Sequence, residues 1–169
     1  MINFRKANIN DASVYANLLN QSWKDTYGKY VSIEHIDDEF NVEKLTNNFG
    51  NYIKDTSFEL YMIEYEQEIV GILELGSPED DYKEGMQKIG ELRTLHIKKE
   101  FQDLGIGTEA EDFACSRLKE LGYSICCLWV KKQNKKAIKF HEKNGFVKTN
   151  YVCEETVDGA PSFVMEKIL

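Results

Sequence analysis

The sequence has no long apolar run, and it has too few basic residues to balance its acids. No stretch approaches the roughly 20 consecutive apolar residues of a membrane-spanning helix, so we expect no membrane partner. The 21 Lys and Arg residues are outnumbered by 29 Asp and Glu residues, which gives a formal net charge of −8. A nucleic-acid-binding protein normally presents a basic surface, so we also expect no nucleic-acid partner.

Metal-binding patterns and a secretory signal are missing as well. The four cysteines are Cys115, Cys126, Cys127 and Cys153. The three histidines are His35, His96 and His141. Neither set has the spacing of metal ligands, so we predict no metal and expect reduced thiols buried as small apolar groups. The first residues lack the apolar core and cleavage site of a secretory signal, so the expected location is the cytoplasm.

What the sequence does contain predicts one domain over residues 1–169 with a mixed sheet. A chain of this length, with 42% hydrophobic residues, can bury a full core. Period-two patterns predict strands at residues 2–7, 57–65, 68–75, 89–97, 125–130, 146–153 and 162–168. Caps and three- to four-residue spacing predict helices from Asn10 or Asp11 to Ser22, near 34–38 after Ser32, at 42–49 between Asn41 and Gly50, at 104–121, and from Asn134 to Asn144. Residues 76–85 and 158–161 are predicted to be a loop and a turn. Strands joined first by hairpins and then by helices are typical of a mixed sheet covered by helices.

The chain is organised around residues 89–108, where a strand leads through a glycine-rich turn into a helix. Residues 89–97 alternate as in a strand, and an amphipathic pattern follows Thr108 and runs to about Leu121. A helix start has unpaired backbone N–H groups and the positive end of a dipole. Gly105 and Gly107 would let a phosphate approach that backbone closely. The stretch therefore predicts an anion site, favouring a pyrophosphate, although a tight turn with glycines for geometry alone is an open alternative.

Two common nucleotide motifs do not fit this stretch. The Walker pattern needs a lysine after the second glycine, whereas Thr108 follows Gly107 directly. The Rossmann fingerprint needs a third glycine and an acid on the next strand, and neither is present.

Two segments together resemble the GNAT superfamily of N-acetyltransferases. Gln102-x-x-Gly105-x-Gly107 is similar to the acetyl-CoA loop of that superfamily. Asn134-x-x-Ala137-x-x-Phe140-His141-x-x-x-Gly145-Phe146 is similar to its second signature. The resemblance implies an α/β (α+β) GNAT-like fold: a mixed, mostly antiparallel sheet of six or seven strands, flanked by about four helices and splayed between strands 4 and 5. The element order agrees with it.

The resemblance also implies where acetyl-CoA, the expected co-substrate, would bind. Its pantetheine arm would lie along Leu95, His96 and Ile97, and a backbone N–H near Ile97 would face the thioester oxygen. Its pyrophosphate would meet the backbone of Gln102, Asp103, Leu104, Gly105, Ile106, Gly107 and Thr108. Asn134, Ala137 and Phe140 would lie beside the coenzyme, with Asn134 also capping its helix.

Two residues are candidates for the proton transfers. Glu91 shares a strand face with Ile97, and the matching glutamate is the general base in some superfamily members. One alternative is that a water acts as the base. Another is that Glu91 only pairs with Arg93 or a lysine at the sheet surface. His141 replaces the usual tyrosine acid; it either protonates the leaving thiolate or only lines the cavity.

The expected reaction is direct acetyl transfer, in a ternary complex, to the primary amine of a small cationic metabolite such as a polyamine. Trp23, Tyr27 and Tyr30 lie between the first two predicted helices, and aromatic rings there would hold an ammonium by cation–π contact. The run Trp23-x-Asp25-Thr26-Tyr27-Gly28 is similar to bacterial polyamine N-acetyltransferases. A protein N-terminus or lysine as acceptor is an alternative, as is a non-catalytic acyl-CoA sensor. Homodimers are frequent in the superfamily, so a homodimer is a further expectation.

Overall fold

The computed structural model describes residues 1–78, 82, 88–154 and 161–169. The predicted loop at 76–85 and the predicted turn at 158–161 fall mostly outside these ranges. The strands are β1 (Ile2–Lys6), β2 (Phe58–Tyr65), β3 (Glu68–Gly76), β4 (Ile89–Ile97), β5 (Ile125–Lys131), β6 (Val147–Cys153) and β7 (Ser162–Ile168). The α-helices are α1 (Ala12–Tyr27), α2 (Ile33–Glu39), α3 (Val42–Tyr52), α4 (Ile106–Glu120) and α5 (Lys135–Lys143), with 3-10 turns at Ile9–Asp11 and Lys99–Phe101.

The strands form a seven-stranded mixed sheet in the order β1-β2-β3-β4-β5-β7-β6. β4 and β5 are parallel, whereas β1 with β2, β5 with β7, and β6 with β7 are antiparallel. The parallel pairing joins residues 89–91 to residues 125–127, only the first third of β4. This confirms the predicted mixed sheet and its opening between the fourth and fifth strands.

The chain divides into two compact units, and each is described by itself. The first contains Met1–Glu74 and Thr94–Ala110, and the second contains Leu75–Arg93 and Glu111–Leu169. The assignment of residues 1–169 to one domain stays a prediction.

The core of the first unit lies between its helices and one face of its strands. The largest buried groups come from α1, α3, β2 and β3, where the period of 3.6 residues on the helices meets the period of two on the strands. They are Tyr15, Leu18, Leu19, Phe49, Phe58, Leu60, Met62 and Ile72. Glu66 and Gln67 have positive φ angles of 51° and 72°, which make the tight β2–β3 turn.

The second unit packs the later half of α4 against β4 and β5. A Cβ at Gly90 would lie 2.7 Å from Leu118 and 2.8 Å from the Tyr123 ring, so only glycine fits beneath this helix. On the opposite sheet face, Cys127 packs with Val164 and Ile89. Cys126 faces α4, so the two neighbouring thiols point to opposite faces, as predicted.

Three predictions about helix ends are wrong. α1 continues to Tyr27 rather than ending near Ser22, so Trp23 and Tyr27 lie on the helix rather than between helices. The Trp23 and Tyr27 rings, one turn apart on the helix, contact each other at a tilt of 43° with centroids 4.8 Å apart, which favours its last turn. Gly50 does not end α3, which runs to Tyr52.

The third correction concerns the start of α1. Asp11 stands at the N-cap position, but its side chain makes no capping hydrogen bond. Its carboxylate instead accepts two 2.9 Å hydrogen bonds from the Arg5 guanidinium. This contact holds the pKa of Asp11 below its ordinary value. The same carboxylate accepts a 2.7 Å hydrogen bond from the N–H of Asn8, at the start of the preceding 3-10 turn. Asp11 therefore stabilises the residues before α1 and does not cap α1 itself.

Within the described ranges, we find no helix with the length and apolar character needed to span a membrane.

Candidate active site

The turn that precedes α4, residues 102–105, is here called the glycine turn, and it is shaped by its backbone. Asp103 and Gly105 have positive φ angles of 63° and 85°. Residues 102–105 are exposed, and a Cβ built on Gly105 would meet no heavy atom within 4 Å. The space beside Gly105 is therefore open to a ligand, while its positive φ favours glycine.

The helix that follows begins with backbone donors. Ile106 is 1% exposed and anchors the first turn of α4 in the core. The first backbone hydrogen bond of the helix runs 3.2 Å from the N–H of Glu109 to the carbonyl of Gly105. The N–H groups of Ile106 and Gly107 come before it, in the first turn of the helix, where backbone donors point away from the helix body. Together with the helix dipole they make a local environment suited to an anion.

The Gln102 side chain connects the glycine turn to β4. Its amide nitrogen donates a 3.0 Å hydrogen bond to the carbonyl of Ile97, the last residue of the strand. On the other side of this strand end, the N–H of Lys98 bonds to the carbonyl of Val70 at 2.8 Å. The predicted pantetheine segment and the predicted pyrophosphate turn are thus joined by a direct contact within the first unit.

The predicted coenzyme residues on β4, Leu95, His96 and Ile97, are half-buried. Burial lowers the pKa of His96 to about 4, since desolvation disfavours the charged imidazolium. His96 is therefore neutral near pH 7. It can line a coenzyme site but carries no charge there.

Glu91 lies in the second unit and is 4% exposed. It pairs across the sheet with Cys127. The Arg93 guanidinium donates to the carbonyl of Ser77 at 2.6 and 2.9 Å. Glu91 is not a sheet-surface residue, and a carboxylate this deeply buried needs polar contacts to stay in place.

His141 belongs to a group of side chains that the sequence analysis missed. Its Nδ1 lies 2.5 Å from Oε1 of Glu111, and the amide of Asn144 donates to the other oxygen of Glu111 at 2.5 Å. Glu111 is completely buried, and the His141 side chain is 13% exposed. We call Glu111, His141 and Asn144 the buried triad; it joins α4 to α5 through side chains alone.

One signal could have revealed Glu111. It follows Ala110 and precedes Ala114 on the apolar stripe of α4, where a lone acid needs a buried partner. What the sequence does not supply is the identity of that partner, 30 residues away.

Asn134 caps α5 as predicted, since its side-chain oxygen accepts a 3.1 Å hydrogen bond from the N–H of Ala137. Phe140 packs edge-on against His141 with ring centroids 5.2 Å apart. These contacts account for the fold of α5. A role for Asn134, Ala137 or Phe140 in coenzyme binding stays a prediction.

The predicted acceptor rings are only partly exposed. Trp23 stacks on Phe40 at 4.3 Å and packs against the core cluster of the first unit. Tyr30, beyond the end of α1, is 59% exposed. Trp23 therefore has a packing role, and Tyr30 is the ring most accessible to a ligand.

The described residues contain no group of three or more His, Cys, Asp or Glu side chains placed to hold a metal ion. All four thiols are free, with Cys115, Cys126 and Cys127 buried.

Comparisons with known proteins agree with this geometry. Residues 16–146, more than half of the chain, match the model of the acetyltransferase (GNAT) family. A spermidine N(1)-acetyltransferase from Thermoplasma acidophilum is 28% identical over 170 residues, which covers 98% of this chain and 96% of that protein.

Solved structures show the same architecture. The PaiA N-acetyltransferase from Thermoplasma acidophilum, crystallised with coenzyme A, superposes with a TM-score of 0.75 at 26% identity and covers 100% of this chain and 99% of that one. A spermidine N-acetyltransferase chimera from Vibrio cholerae and hSSAT superposes with a TM-score of 0.72 over 99% and 94% of the two chains. The latter is 22% identical, so that likeness concerns the fold alone.

Proposed function

Because the chain belongs to the acetyltransferase (GNAT) family, we propose that it transfers the acetyl group of acetyl-CoA to a primary amine of a small cationic metabolite such as a polyamine. The glycine turn is the observation that carries this proposal. It combines positive φ at Gly105, open space at that residue and a helix start directly behind it. The coenzyme A complex of the PaiA relative and the spermidine acetyltransferase from the same organism support the two substrate classes.

The backbone is proposed to hold the coenzyme. The N–H groups at the start of α4 bind the pyrophosphate, where the helix dipole adds to the attraction. The residues at the end of β4, from Leu95 to Ile97, guide the pantetheine arm. A backbone N–H at or beside Ile97 polarises the thioester carbonyl and stabilises the oxyanion that forms when the amine attacks. Asn134, Ala137 and Phe140 of the second unit are further proposed coenzyme contacts.

Glu91 is the proposed general base. Only a neutral amine attacks a thioester, so the ammonium must first give up a proton. Glu91 is a buried carboxylate on β4, and the amine's proton can pass to it directly or through a water. Its burial supports this role more than it supports a solvated surface pair.

His141 is the proposed general acid for the leaving thiolate. Its Nδ1 already contacts Glu111, so Nε2 is the nitrogen proposed to donate the proton. The contact with Glu111 also gives His141 a structural role that needs no catalysis. It therefore favours a second candidate function, an acyl-CoA-binding protein without catalytic activity. Trp23, Tyr27 and Tyr30 remain proposed acceptor contacts, and a homodimer in the cytoplasm remains a prediction.

The proposed function is tested by following free thiol from acetyl-CoA in the presence of spermidine, putrescine, lysine and an N-terminal alanine peptide. We expect thiol release with the polyamines and little with the peptide. Release with the peptide alone would move the acceptor class to proteins. Coenzyme A binding without release on any amine would leave the acyl-CoA-binding protein.

The role of Glu91 is tested by Glu91→Gln against Glu154→Gln, an exposed carboxylate paired with Lys132. Loss of a general base typically costs about 100-fold or more in turnover. We expect that loss in Glu91→Gln, with unchanged affinity for coenzyme A and a deficit that shrinks at high pH, where more amine is already neutral. Full activity of Glu91→Gln would assign the base role to water.

A further inference from the structure

One face of the second unit carries two carboxylates in a row across three strands. Glu91 of β4 lies opposite Cys127 of β5, and Cys127 lies opposite Glu166 of β7. Residues that face each other across a sheet project to the same side. Neighbouring strands are about 4.8 Å apart, so the backbones of Glu91 and Glu166 are separated by roughly 10 Å.

Three aromatic side chains pack together on this face of the sheet. The Tyr82 and Tyr151 rings meet edge-on at 4.7 Å, and Trp129 lies 5.7 Å from Tyr151 and 6.4 Å from Tyr82. The Tyr82 hydroxyl donates a 2.9 Å hydrogen bond to Glu166. The rings and the carboxylate therefore form one connected group. We call Glu91, Glu166, Tyr82, Trp129 and Tyr151 the amine face.

Burial changes across the amine face from its inner to its outer end. Glu91 and Tyr82 are 4% and 3% exposed, whereas Tyr151 is 46% exposed. Tyr151 reaches this position through an irregularity of β6, whose pairing with β7 shifts register between Lys148 and Val152. Such bulges re-aim side chains. A large ring at the outer end, half open to solvent, is not required by packing of the core.

The chemistry of the amine face fits a cation with more than one charge. Ring faces of tyrosine and tryptophan attract ammonium groups, most strongly when those groups are desolvated. Two carboxylates on strands whose backbones are roughly 10 Å apart can each meet one ammonium of a linear polyamine, whereas a monoamine reaches only one of them.

We propose that the amine face binds the acceptor as an extended polyamine, with the reacting nitrogen toward Glu91 and a second ammonium at Glu166. This inference rests on the proposed function for the reacting nitrogen. It adds a specificity site for the other end of the same molecule. Glu166, Trp129 and Tyr151 then select acceptors with two or more charges.

The kinetic test uses Glu166→Gln, which removes the charge but keeps an oxygen to accept the Tyr82 hydrogen bond. With spermidine we expect KM to rise about tenfold while kcat stays within about twofold. With hexylamine, which has one charge, KM should not change. Glu154→Gln serves as the exposed control on the same unit and should behave like the wild type. If Glu166→Gln changes the KM values for spermidine and hexylamine equally, or changes neither, the proposal is overturned.

The ring contacts are tested by a matched pair at one position. Tyr151→Phe keeps the ring and should leave the KM for spermidine within about twofold of the wild-type value. Tyr151→Ala removes the ring and should raise that KM about fivefold. If Tyr151→Phe and Tyr151→Ala have the same KM for spermidine, the Tyr151 ring does not bind the amine.

A binding measurement separates this inference from the proposed function. The chain has two tryptophans, so the fluorescence of Trp129 is obtained as the difference between the wild type and Trp129→Phe, with Trp23 left in place. Spermidine should change the fluorescence of Trp129, with a midpoint that Glu166→Gln raises about tenfold, whether or not acetylation occurs. A fluorescence response without acetylation would support this inference and contradict the proposed function. Acetylation of spermidine with no fluorescence response would support the proposed function and contradict this inference.

Discussion

The glycine turn comes directly before α4, and Glu111 of the buried triad lies further along the same helix, yet different interactions hold the turn and the triad in shape. The turn is exposed, and its shape comes from the backbone of residues 102–105 and the first turn of α4. The triad is buried, and its shape comes from side chains that meet across 30 and 33 residues of sequence. Because of this difference, we expect that substitutions in the glycine turn change the free energy of unfolding little. Substitutions of His141 should lower it, since they break the triad.

The largest expected effect comes from breaking the triad. His141→Phe leaves the carboxylate of Glu111 buried without its imidazole, and loss of a hydrogen bond to a buried carboxylate costs about 1.5–3 kcal/mol. Urea unfolding should show this loss. The double variant Glu111→Leu with His141→Phe should recover part of it, since no buried carboxylate remains.

This expectation changes how the acid role of His141 must be tested. His141→Gln keeps an N–H that can donate to Glu111 but cannot serve as a proton donor to the thiolate. We expect it to be more stable than His141→Phe and still slow in turnover. If His141→Gln and His141→Phe are equally unstable, the triad does not depend on that hydrogen bond.

The next largest effect is a loss of coenzyme A binding without a loss of stability. Gly105→Asp places a side chain and a negative charge in the open space beside the helix start. We expect at least about 100-fold weaker coenzyme A binding by calorimetry, close to 3 kcal/mol, and a small change in the free energy of unfolding.

Gly122→Asp is the matched control for Gly105→Asp. Gly122 follows the other end of α4 with a φ of 94°, and it also has no heavy atom within 4 Å of a Cβ. Its substitution has the same backbone strain but should leave coenzyme A affinity unchanged. Equal losses in both variants would mean that strain, rather than the anion site, explains the result.

A smaller effect concerns pH and the strand that leads to the glycine turn. The pKa of His96 is about 4 in the folded chain and 6.5 ordinarily, so between these values the unfolded chain binds a proton that the folded chain does not. Stability is therefore unaffected by this group above about pH 6.5 and falls as the pH drops toward 4, by about 2 kcal/mol at pH 5. His96→Leu should remove that component from urea unfolding curves. His35→Gln, an exposed histidine, should retain it.

The smallest expected effect is at the link between strand and turn. Gln102→Ala removes the hydrogen bond to the carbonyl of Ile97, and a net loss of about 1 kcal/mol is typical for such a bond. Coenzyme A affinity should fall about fivefold. An unchanged affinity in calorimetry would show that the turn keeps its shape without this contact.

Features that depend on residues close together in the sequence could be predicted from it. The glycine turn, the caps at Asn41 and Asn134 and the end of α4 at Gly122 depend on neighbours within a few residues, and all were predictable from local rules. The mixed sheet followed from the order of the elements.

The contacts that were not predicted depend on the folded structure rather than on neighbouring residues. Asp11 binds Arg5 and the N–H of Asn8 rather than an N–H of α1, and Glu111 and Glu166 find their partners only in the folded chain. Their positions are visible in the sequence, but their contacts depend on which helix faces which strand. The proposed roles of Glu91 and His141 came from resemblance, and neither spacing nor periodicity would have supplied them.

The most direct test of the central claim is an NMR titration of the labelled protein with coenzyme A and, separately, with pantetheine, which lacks the pyrophosphate. The account predicts that the backbone amide signals of Ile106, Gly107 and Thr108 shift strongly with coenzyme A and far less with pantetheine. Amide signals that do not move at saturating coenzyme A, or that move equally with both ligands, would contradict it.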